Sequence, residues 1–153
     1  MCRDLGYARF VARLTSKIDV PLPPDEVWKH ASDLDAFDSW LSVHEAWRGE
    51  LPAELSAGTE LSSVVRVKSF RNRVTWKIQE YTPPRNLKLK GDGKGGVKLG
   101  LVVDVKEKGD GSELAFTIEL GGAPLFGPIG RTVAKALEGD IDASLARFVE
   151  IYG

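Results

Sequence analysis

The sequence is poor in residue types on which several common kinds of functional site depend. It contains one cysteine, Cys2, and two histidines, His30 and His44, among 153 residues. A single cysteine cannot form an internal disulfide, which excludes a disulfide-stapled secreted domain. Two distant histidines without a cysteine cluster do not make a zinc site, so no metal and no other cofactor is expected.

Long hydrophobic runs and an excess of either charge are also missing. No stretch approaches the roughly 20 apolar residues of a membrane span, and the opening MCRDLGYARF lacks the apolar core of a secretory signal. The net charge of −1 at pH 7 gives no overall reason to bind nucleic acid or an anionic membrane. We therefore expect a cytoplasmic protein, without a membrane span and without nucleic acid as a partner.

The spacing of apolar residues predicts one α+β domain over residues 1–153. Residues 8–20 alternate between apolar and polar side chains, as a half-buried strand does. The prolines of PLPP end this strand, and two short helices are predicted after it, through Val27–Ala31 and around 36–41. Alternation then returns in a series of further strands separated by hairpin-length turns, so the sheet should be antiparallel. The inward stripes are Leu61, Val65 and Val67; Val74, Trp76 and Ile78; Leu87 and Leu89; Val97, Leu99, Leu101, Val103 and Val105; and Leu114, Phe116, Ile118 and Leu120.

The last part of the chain changes to the period of a helix. Its apolar positions are Ile129, Val133, Leu137, Ile141, Leu145, Phe148 and Tyr152. They predict a helix over roughly residues 125–151, the only element long enough to cover the apolar face of the sheet. The expected fold is a curved antiparallel sheet of six to seven strands gripping this helix, with a cavity between sheet and helix.

Glycines weaken the start of that helix. Gly127 and Gly130 remove side-chain volume where the helix meets the sheet, which indicates either a cavity or a close approach of two backbone segments. Close packing without a cavity remains an open alternative. If there is a cavity, we expect the apolar lining to include Val65, Trp76, Leu89, Leu99, Leu101, Phe116, Phe126, Ile129, Gly130 and Val133, with Ser63 as a polar contact.

Two local motifs resemble binding sites but have simpler interpretations. GDGKGG at 91–96 matches G-x-G-x-x-G, yet VKLGLVVDV follows it as a strand pattern, whereas a dinucleotide site needs a helix there. A hairpin turn is the better interpretation. Lys68, Arg71 and Arg73 form a basic cluster that is either a solvated hairpin tip or a contact for phosphate.

His44 is the one candidate for acid–base chemistry. It lies in SWLSVHEAW between Trp40 and Trp47, and no nucleophile motif accompanies it. A buried structural histidine and a catalytic base both fit this position.

The run DVPLPPDEVWKHASDLDAFDSWL resembles the opening of the START-like (helix-grip, SRPBCC) superfamily. This superfamily includes polyketide cyclases and dehydrases and lipid-transfer domains. The residues that carry the resemblance are Val20, Pro24, Val27, Trp28, Asp33 and Trp40. The resemblance implies an apolar tunnel between the sheet and the long helix, but no cyclase catalytic set can be placed on this sequence.

A second resemblance is narrower. WLSVHEAWRGELP, GDGKGGVKL and GGAPLFGPIGRTVAKALEGDI are similar to a bacterial subgroup of this superfamily named as toxins of toxin–antitoxin pairs. It implies a growth-inhibiting protein neutralised by an antitoxin protein. The surfaces suggested for such a partner are the KSFRNR hairpin at 68–73 and the WLSVHEAWRG segment, where Trp40 and Trp47 would anchor an interface if exposed.

Three functions therefore follow from the sequence as alternatives. The first is a small-molecule-binding protein whose apolar cavity takes a lipid-like or polyketide-like ligand, meaning an apolar or amphipathic small molecule. The second is a toxin that acts through protein interaction. The third is a cyclase or dehydrase type of enzyme.

Overall fold

Seven antiparallel strands form one continuous curved sheet in the computed structural model, which describes residues 10–67, 70–125 and 127–153. The strands are β1 (Phe10–Val20), β2 (His44–Arg48), β3 (Glu60–Val67), β4 (Phe70–Thr82), β5 (Asn86–Gly93), β6 (Lys98–Lys108) and β7 (Gly111–Gly121). Their order across the sheet is β1-β7-β6-β5-β4-β3-β2. Every strand from β2 to β7 is therefore beside its neighbour in sequence, and β1 closes the far edge against β7.

The helices lie between β1 and β2 and at the end of the chain. They are α1 (Pro24–Ala31), α2 (Phe37–Trp40) and α3 (Pro128–Tyr152), and short 3₁₀ turns occupy Leu34–Ala36, Lys94–Gly96 and Ala123–Leu125. Helix α3 turns one apolar face to the sheet. The buried residues of that face are Val133, Leu137, Ile141, Leu145 and Phe148. This arrangement confirms the predicted helix-grip fold with two short helices after the first strand.

Helix α3 begins at Pro128, slightly later than the spacing of apolar residues predicts. Gly127, the residue before the helix, has φ of 97°, a left-handed backbone conformation that favours glycine. Pro128 then occupies the first turn, where its missing N–H is not needed. Ala123–Leu125 forms a separate 3₁₀ turn instead of joining the helix.

Gly130 is explained by a close approach of two backbone segments. A Cβ atom at this position would lie 1.7 Å from the carbonyl oxygen of Leu125, far inside any contact distance. The missing side chain therefore lets the 3₁₀ turn that precedes α3 lie directly on the first turn of the helix. Of the two explanations that the sequence left open for this glycine, the structure supports close approach.

The glycine-rich motif at 91–96 forms a hairpin connection, as predicted. Gly91 and Gly93 belong to β5, Lys94–Gly96 forms a 3₁₀ turn, and β6 begins at Lys98. No helix follows the motif, so it lacks the helix N-terminus that would bind a pyrophosphate group. Cys2, Lys68 and the first two residues of the predicted strand 8–20 lie outside the described residues.

Candidate functional site

A cavity of about 260 Å³ lies between the concave face of the sheet and the first half of α3. Its wall is almost entirely apolar, with side chains from the strands β2 to β7, from α2 and the segment after it, and from α3 and the turn before it. The lining residues are Phe37, Leu41, Val43, His44, Trp47, Ser63, Val65, Val67, Arg71, Asn72, Trp76, Leu89, Val97, Leu99, Leu101, Ile118, Leu120, Pro124, Leu125, Ile129, Val133 and Leu137. The space between the sheet and α3 is therefore not completely close-packed.

The register of the strands explains which part of the sheet borders the cavity. On the β6–β7 pair, Leu101 lies opposite Ile118 and Leu99 lies opposite Leu120, and all four side chains line the wall. The next inward pair along these strands, Val103 and Phe116, lies beyond it. The cavity therefore occupies only one end of the space under the sheet.

Aromatic side chains fill the other end of that space. Trp40, completely buried, packs edge-on against Phe116 and Phe148, with ring centroids 5.9 and 5.2 Å apart. Phe37, one turn earlier in α2, contacts Trp40 at 5.6 Å and lines the cavity. The short helix α2 thus supplies the aromatic plug that closes the inner end of the cavity.

Trp76 is the largest side chain on the sheet wall, and two neighbours hold it in place. Its indole N–H donates to Ser63 Oγ at 2.8 Å, a buried hydrogen bond between β4 and β3. On β5, a Cβ atom at Gly91 would lie 2.7 Å from Cε3 of the indole ring. The absence of a side chain at Gly91 therefore leaves room for the indole ring directly over the β5 backbone, so that the ring does not have to shift toward the cavity.

The mouth of the cavity is marked by the lining residues that reach solvent. Ile129, in the first turn of α3, is 55% exposed although it also lines the cavity. Asn72, a half-buried lining residue, holds the Lys94–Gly96 turn: its Oδ1 accepts from Lys94 N–H at 2.8 Å, and its Nδ2 donates to Lys94 O at 3.3 Å. The Lys94–Gly96 turn is therefore held by Asn72, a residue of the cavity wall.

Arg71 is the cationic side chain on the cavity wall among the described residues, and it is paired with Glu45. Arg71 Nε donates to Glu45 Oε1 at 3.0 Å, and its Nη2 donates to Glu45 Oε2, in a two-pronged contact between β4 and β2. Arg71 is also well exposed. The hydrogen bond from Arg71 lowers the pKa of the Glu45 carboxyl, so the pair stays ionised at neutral pH.

His44 lies on the cavity wall at the start of β2. It is 9% exposed, and its ring contacts Phe37 edge-on at 6.0 Å and Trp47 at 4.7 Å. Burial lowers the pKa of His44 below its ordinary value, although the nearby Asp38 carboxylate acts in the opposite direction. The imidazole is therefore neutral at pH 7, and within the described part of the chain it makes no side-chain hydrogen bond.

Most of the residues expected to line a cavity do line it, but two do not. Ser63, Val65, Trp76, Leu89, Leu99, Leu101, Ile129 and Val133 are on the wall. Phe116 is not, because it packs against Trp40 behind the plug, and Gly130 is not, because its Cα faces the Leu125 carbonyl. Phe126 lies outside the described residues. That the residues on the wall bind a ligand stays a prediction.

The structure adds lining residues that alternation along single strands could not identify. Phe37, Leu41 and Val43 come from α2 and the segment after it, whose path under the sheet has no local signal. Ile118 and Leu120 share the inward stripe of Phe116, so the pattern marked them as buried but did not separate them from it. Their pairing with Leu101 and Leu99, both predicted to line the cavity, was the available clue.

The proposed protein-contact residues are less exposed than an interface anchor requires. Trp40 is completely buried, so it cannot anchor a partner protein. Trp47 is half-buried and its indole N–H donates to Leu34 O at 2.7 Å. Four residues of the WLSVHEAWRG segment instead line the cavity: Leu41, Val43, His44 and Trp47.

Two other classes of site are absent from residues 10–67, 70–125 and 127–153. No group of three or more histidine, cysteine, aspartate or glutamate side chains in these ranges is arranged to hold a metal ion. No helix in them is long and apolar enough to cross a membrane.

A curved antiparallel sheet closed by a long C-terminal helix, with a cavity between them, defines the START-like class of helix-grip proteins. Solved structures of the same fold include TTHA0849 from Thermus thermophilus, with a TM-score of 0.73 and 19% identity, covering 91% of this chain and 95% of that one. Another is CV1439 from Chromobacterium violaceum, with a TM-score of 0.66 and 12% identity, covering 92% and 96% of the two chains.

Sequence comparison places the chain more closely. It belongs to the family described as polyketide cyclase/dehydrase and lipid transport, which matches residues 11–152. A relative in Mycobacterium tuberculosis (strain H37Rv), named toxin Rv0910, is 49% identical over 142 residues, which are 93% of this chain and 99% of the relative. Both resemblances seen in the sequence, to the superfamily and to its toxin-named subgroup, are thereby confirmed.

Proposed function

We propose that this protein binds a small, mainly apolar molecule in the cavity between the sheet and α3. The observation that carries the proposal is the cavity itself: about 260 Å³ of space walled by aliphatic and aromatic side chains. Pockets that are mainly apolar with a few polar groups on the wall are the usual binding sites of small molecules. Membership of a family described by cyclase, dehydrase and lipid-transport activities supports the same conclusion.

The size of the cavity limits the ligand. An apolar cavity of about 150 Å³ holds one benzene molecule, so the 260 Å³ cavity accommodates a somewhat larger molecule. One ring with a short substituent, or a chain of medium length, fills this volume. Within the lipid-like and polyketide-like ligands expected from the sequence, the proposal therefore favours single-ring or medium-chain compounds over long fatty acids and fused polycycles.

A variant that fills the cavity tests the proposal. Val133→Phe adds an aromatic ring to the α3 side of the wall. Isothermal titration of purified protein with neutral apolar compounds of about nine to twelve non-hydrogen atoms should give one site per chain for the wild type. We expect the variant to bind at least about tenfold more weakly, which corresponds to about 1.4 kcal/mol.

Val149→Phe is the matched control. It makes the same change on the same helix at a half-buried position that does not border the cavity, and it should bind like the wild type. Native mass spectrometry of protein purified without detergent provides a second readout, through any co-purifying molecule. Absence of binding by the whole compound series, with nothing co-purifying, contradicts the proposal.

A second candidate function is a toxin neutralised by an antitoxin protein. It is supported by the name of the relative that is 49% identical over nearly its full length. Inducible expression in a mycobacterial host should arrest growth, and co-expression of a protein encoded next to this gene should restore it. Unaltered growth on induction, with no neighbouring gene product that binds the chain, rules this candidate out.

Catalysis of the cyclase or dehydrase type is not part of the proposal. General acid–base chemistry needs a group of tuned pKa beside the labile proton of the substrate and, commonly, a second group that orients it. Among the described lining residues, His44 is the candidate for the first role, but none is a tyrosine, an aspartate or a glutamate that would fill the second.

A further inference from the structure

Two polar side chains on the cavity wall have unused hydrogen-bonding capacity. Ser63, 1% exposed, accepts a hydrogen bond from Trp76, and its hydroxyl proton has no acceptor among the described residues. The buried imidazole of His44 likewise has no side-chain partner there. Neither group is among the fully enclosed unpaired side-chain atoms of the described residues, which are Trp40 Nε1 and Asn86 Oδ1. Both are therefore open to the cavity they line, where water or a ligand can supply the missing partners.

The strand pairing brings these two groups to the same part of the wall. In the β2–β3 pair His44 lies opposite Val65, and Ser63, two residues away on the same face of β3, lies opposite Trp47, with a register shift in β2 between His44 and Ala46. Both side chains line the cavity from neighbouring strands. One hydroxyl group between them can accept from Ser63 and donate to a nitrogen of a neutral His44, because a hydroxyl is both donor and acceptor.

The charges around the cavity argue against an acidic ligand. Arg71 is the only cationic side chain among the described lining residues, and both of its contacts are with Glu45 at the exposed rim. Burial also keeps His44 neutral by lowering its pKa. A carboxylate inside the cavity would thus be desolvated while the cation on the wall is already paired with Glu45, which is unfavourable.

We propose that the ligand is a neutral, single-ring alcohol or phenol whose hydroxyl group bonds to Ser63 and His44 while its apolar end points to the mouth at Ile129. This inference rests on the proposed binding function and narrows it, because it excludes fatty acids and pure hydrocarbons as preferred ligands. A site built to bond a hydroxyl group rejects an analogue that lacks it, since its own polar groups then stay unpaired.

The test compares three probes that share one ring and one ethyl group. They are 4-ethylphenol; 4-ethyltoluene, which has the same shape with a methyl group in place of the hydroxyl; and 4-ethylbenzoate, which carries the charge. Isothermal titration at pH 7.5 should give 4-ethylphenol the highest affinity, by at least about fivefold over 4-ethyltoluene. The benzoate should be the weakest of the three.

Histidine variants test whether His44 causes the preference for 4-ethylphenol over 4-ethyltoluene. His44→Leu keeps an apolar wall but removes the acceptor, so the preference for 4-ethylphenol over 4-ethyltoluene should disappear. His44→Gln retains a donor and an acceptor and should keep most of it. His30→Leu is the matched control, because His30 stacks on Tyr152 and does not line the cavity, and it should leave the preference unchanged.

The possible outcomes separate the two proposals. Equal affinity for the phenol and the toluene, tightest binding of the benzoate, or an unchanged preference in His44→Leu overturns the hydroxyl inference and leaves the binding function standing. If none of the probes binds, and the broader series of apolar compounds also fails, both proposals are wrong.

Discussion

Trp76 illustrates how single residues create the empty volume in this protein. The indole is held by a hydrogen bond to Ser63 on one side and by the bare backbone of Gly91 on the other. A large aromatic ring would otherwise be the natural filling for the space under the sheet. Here the ring is kept on the wall, and the space remains open.

Gly91→Ala tests this explanation. The added Cβ would lie 2.6 Å from Val74 Cγ1 and 2.7 Å from Trp76 Cε3, so the ring must move toward the cavity. We expect the free energy of unfolding, measured by urea denaturation, to fall by about 1–3 kcal/mol, and binding in the cavity to weaken. Stability within about 0.5 kcal/mol of the wild type would mean that Trp76 does not depend on this contact.

His44 makes stability depend on pH in a defined direction. Its pKa in the folded protein is lowered, mainly by burial, below the ordinary value of 6.5. As pH falls through 6.5, the unfolded chain therefore binds the proton first, and the folded state loses stability relative to it. The contribution of neutral His44 is fully present above that pH, and Asp38, which favours the charged form, reduces the effect.

The measurement compares the wild type with His44→Gln by urea denaturation from pH 7.5 to pH 5.5. The wild type should lose more stability than the variant over this range, because only the wild type has an imidazole that the fold keeps neutral. His30 is present in both proteins and cancels in the comparison. A difference that stays constant with pH would show that burial does not perturb His44.

At the scale of elements, two glycines in α3 have opposite effects on the stability of the fold. Gly130, in its first turn, touches the backbone of the preceding 3₁₀ turn. Gly139, near its middle, is exposed, and an added Cβ would meet nothing within 4 Å. The first glycine is needed for packing, whereas the second only gives the unfolded chain more freedom to lose on folding.

Alanine substitutions should separate these roles. Gly139→Ala is expected to raise the free energy of unfolding by about 0.5–1 kcal/mol, the difference in helix propensity. Gly130→Ala places a methyl group on the Leu125 carbonyl and should lower the free energy of unfolding by about 1–3 kcal/mol. Urea denaturation of the two variants in parallel measures both changes. If both substitutions raised the free energy of unfolding, or both lowered it by the same amount, the two glycines would not have different roles.

At the scale of the whole molecule, the cavity links stability to ligand binding. A compound that binds only the folded state stabilises it by mass action, by about 2.7 kcal/mol at 100 times its dissociation constant. For a chain of this size that corresponds to a rise of about 5–10 °C in melting temperature. Differential scanning fluorimetry with 4-ethylphenol should detect the rise in the wild type and not in Val133→Phe. An equal rise in the variant would place the binding site elsewhere.

The fold was largely predictable from the sequence because its signals are local. Alternation identified the sheet face, the change of period identified α3, and hairpin-length turns implied antiparallel neighbours. The same signals predicted much of the cavity wall, including Ser63 and Trp76. Errors arose where two distant segments meet: Phe116 was expected on the wall, but Trp40 from α2 covers it.

What the sequence determined by itself is therefore the set of elements, their order and the face that each one buries. Those properties depend on side-chain direction, which the backbone period sets within a few residues. Only the tertiary structure decided which buried residues border empty space and which are packed. Phe116 and Ile118 stand on the same inward stripe of β7, yet one touches the aromatic plug and the other the cavity. That difference arises because a void is defined by all of its walls at once, and these walls come from segments far apart in the chain.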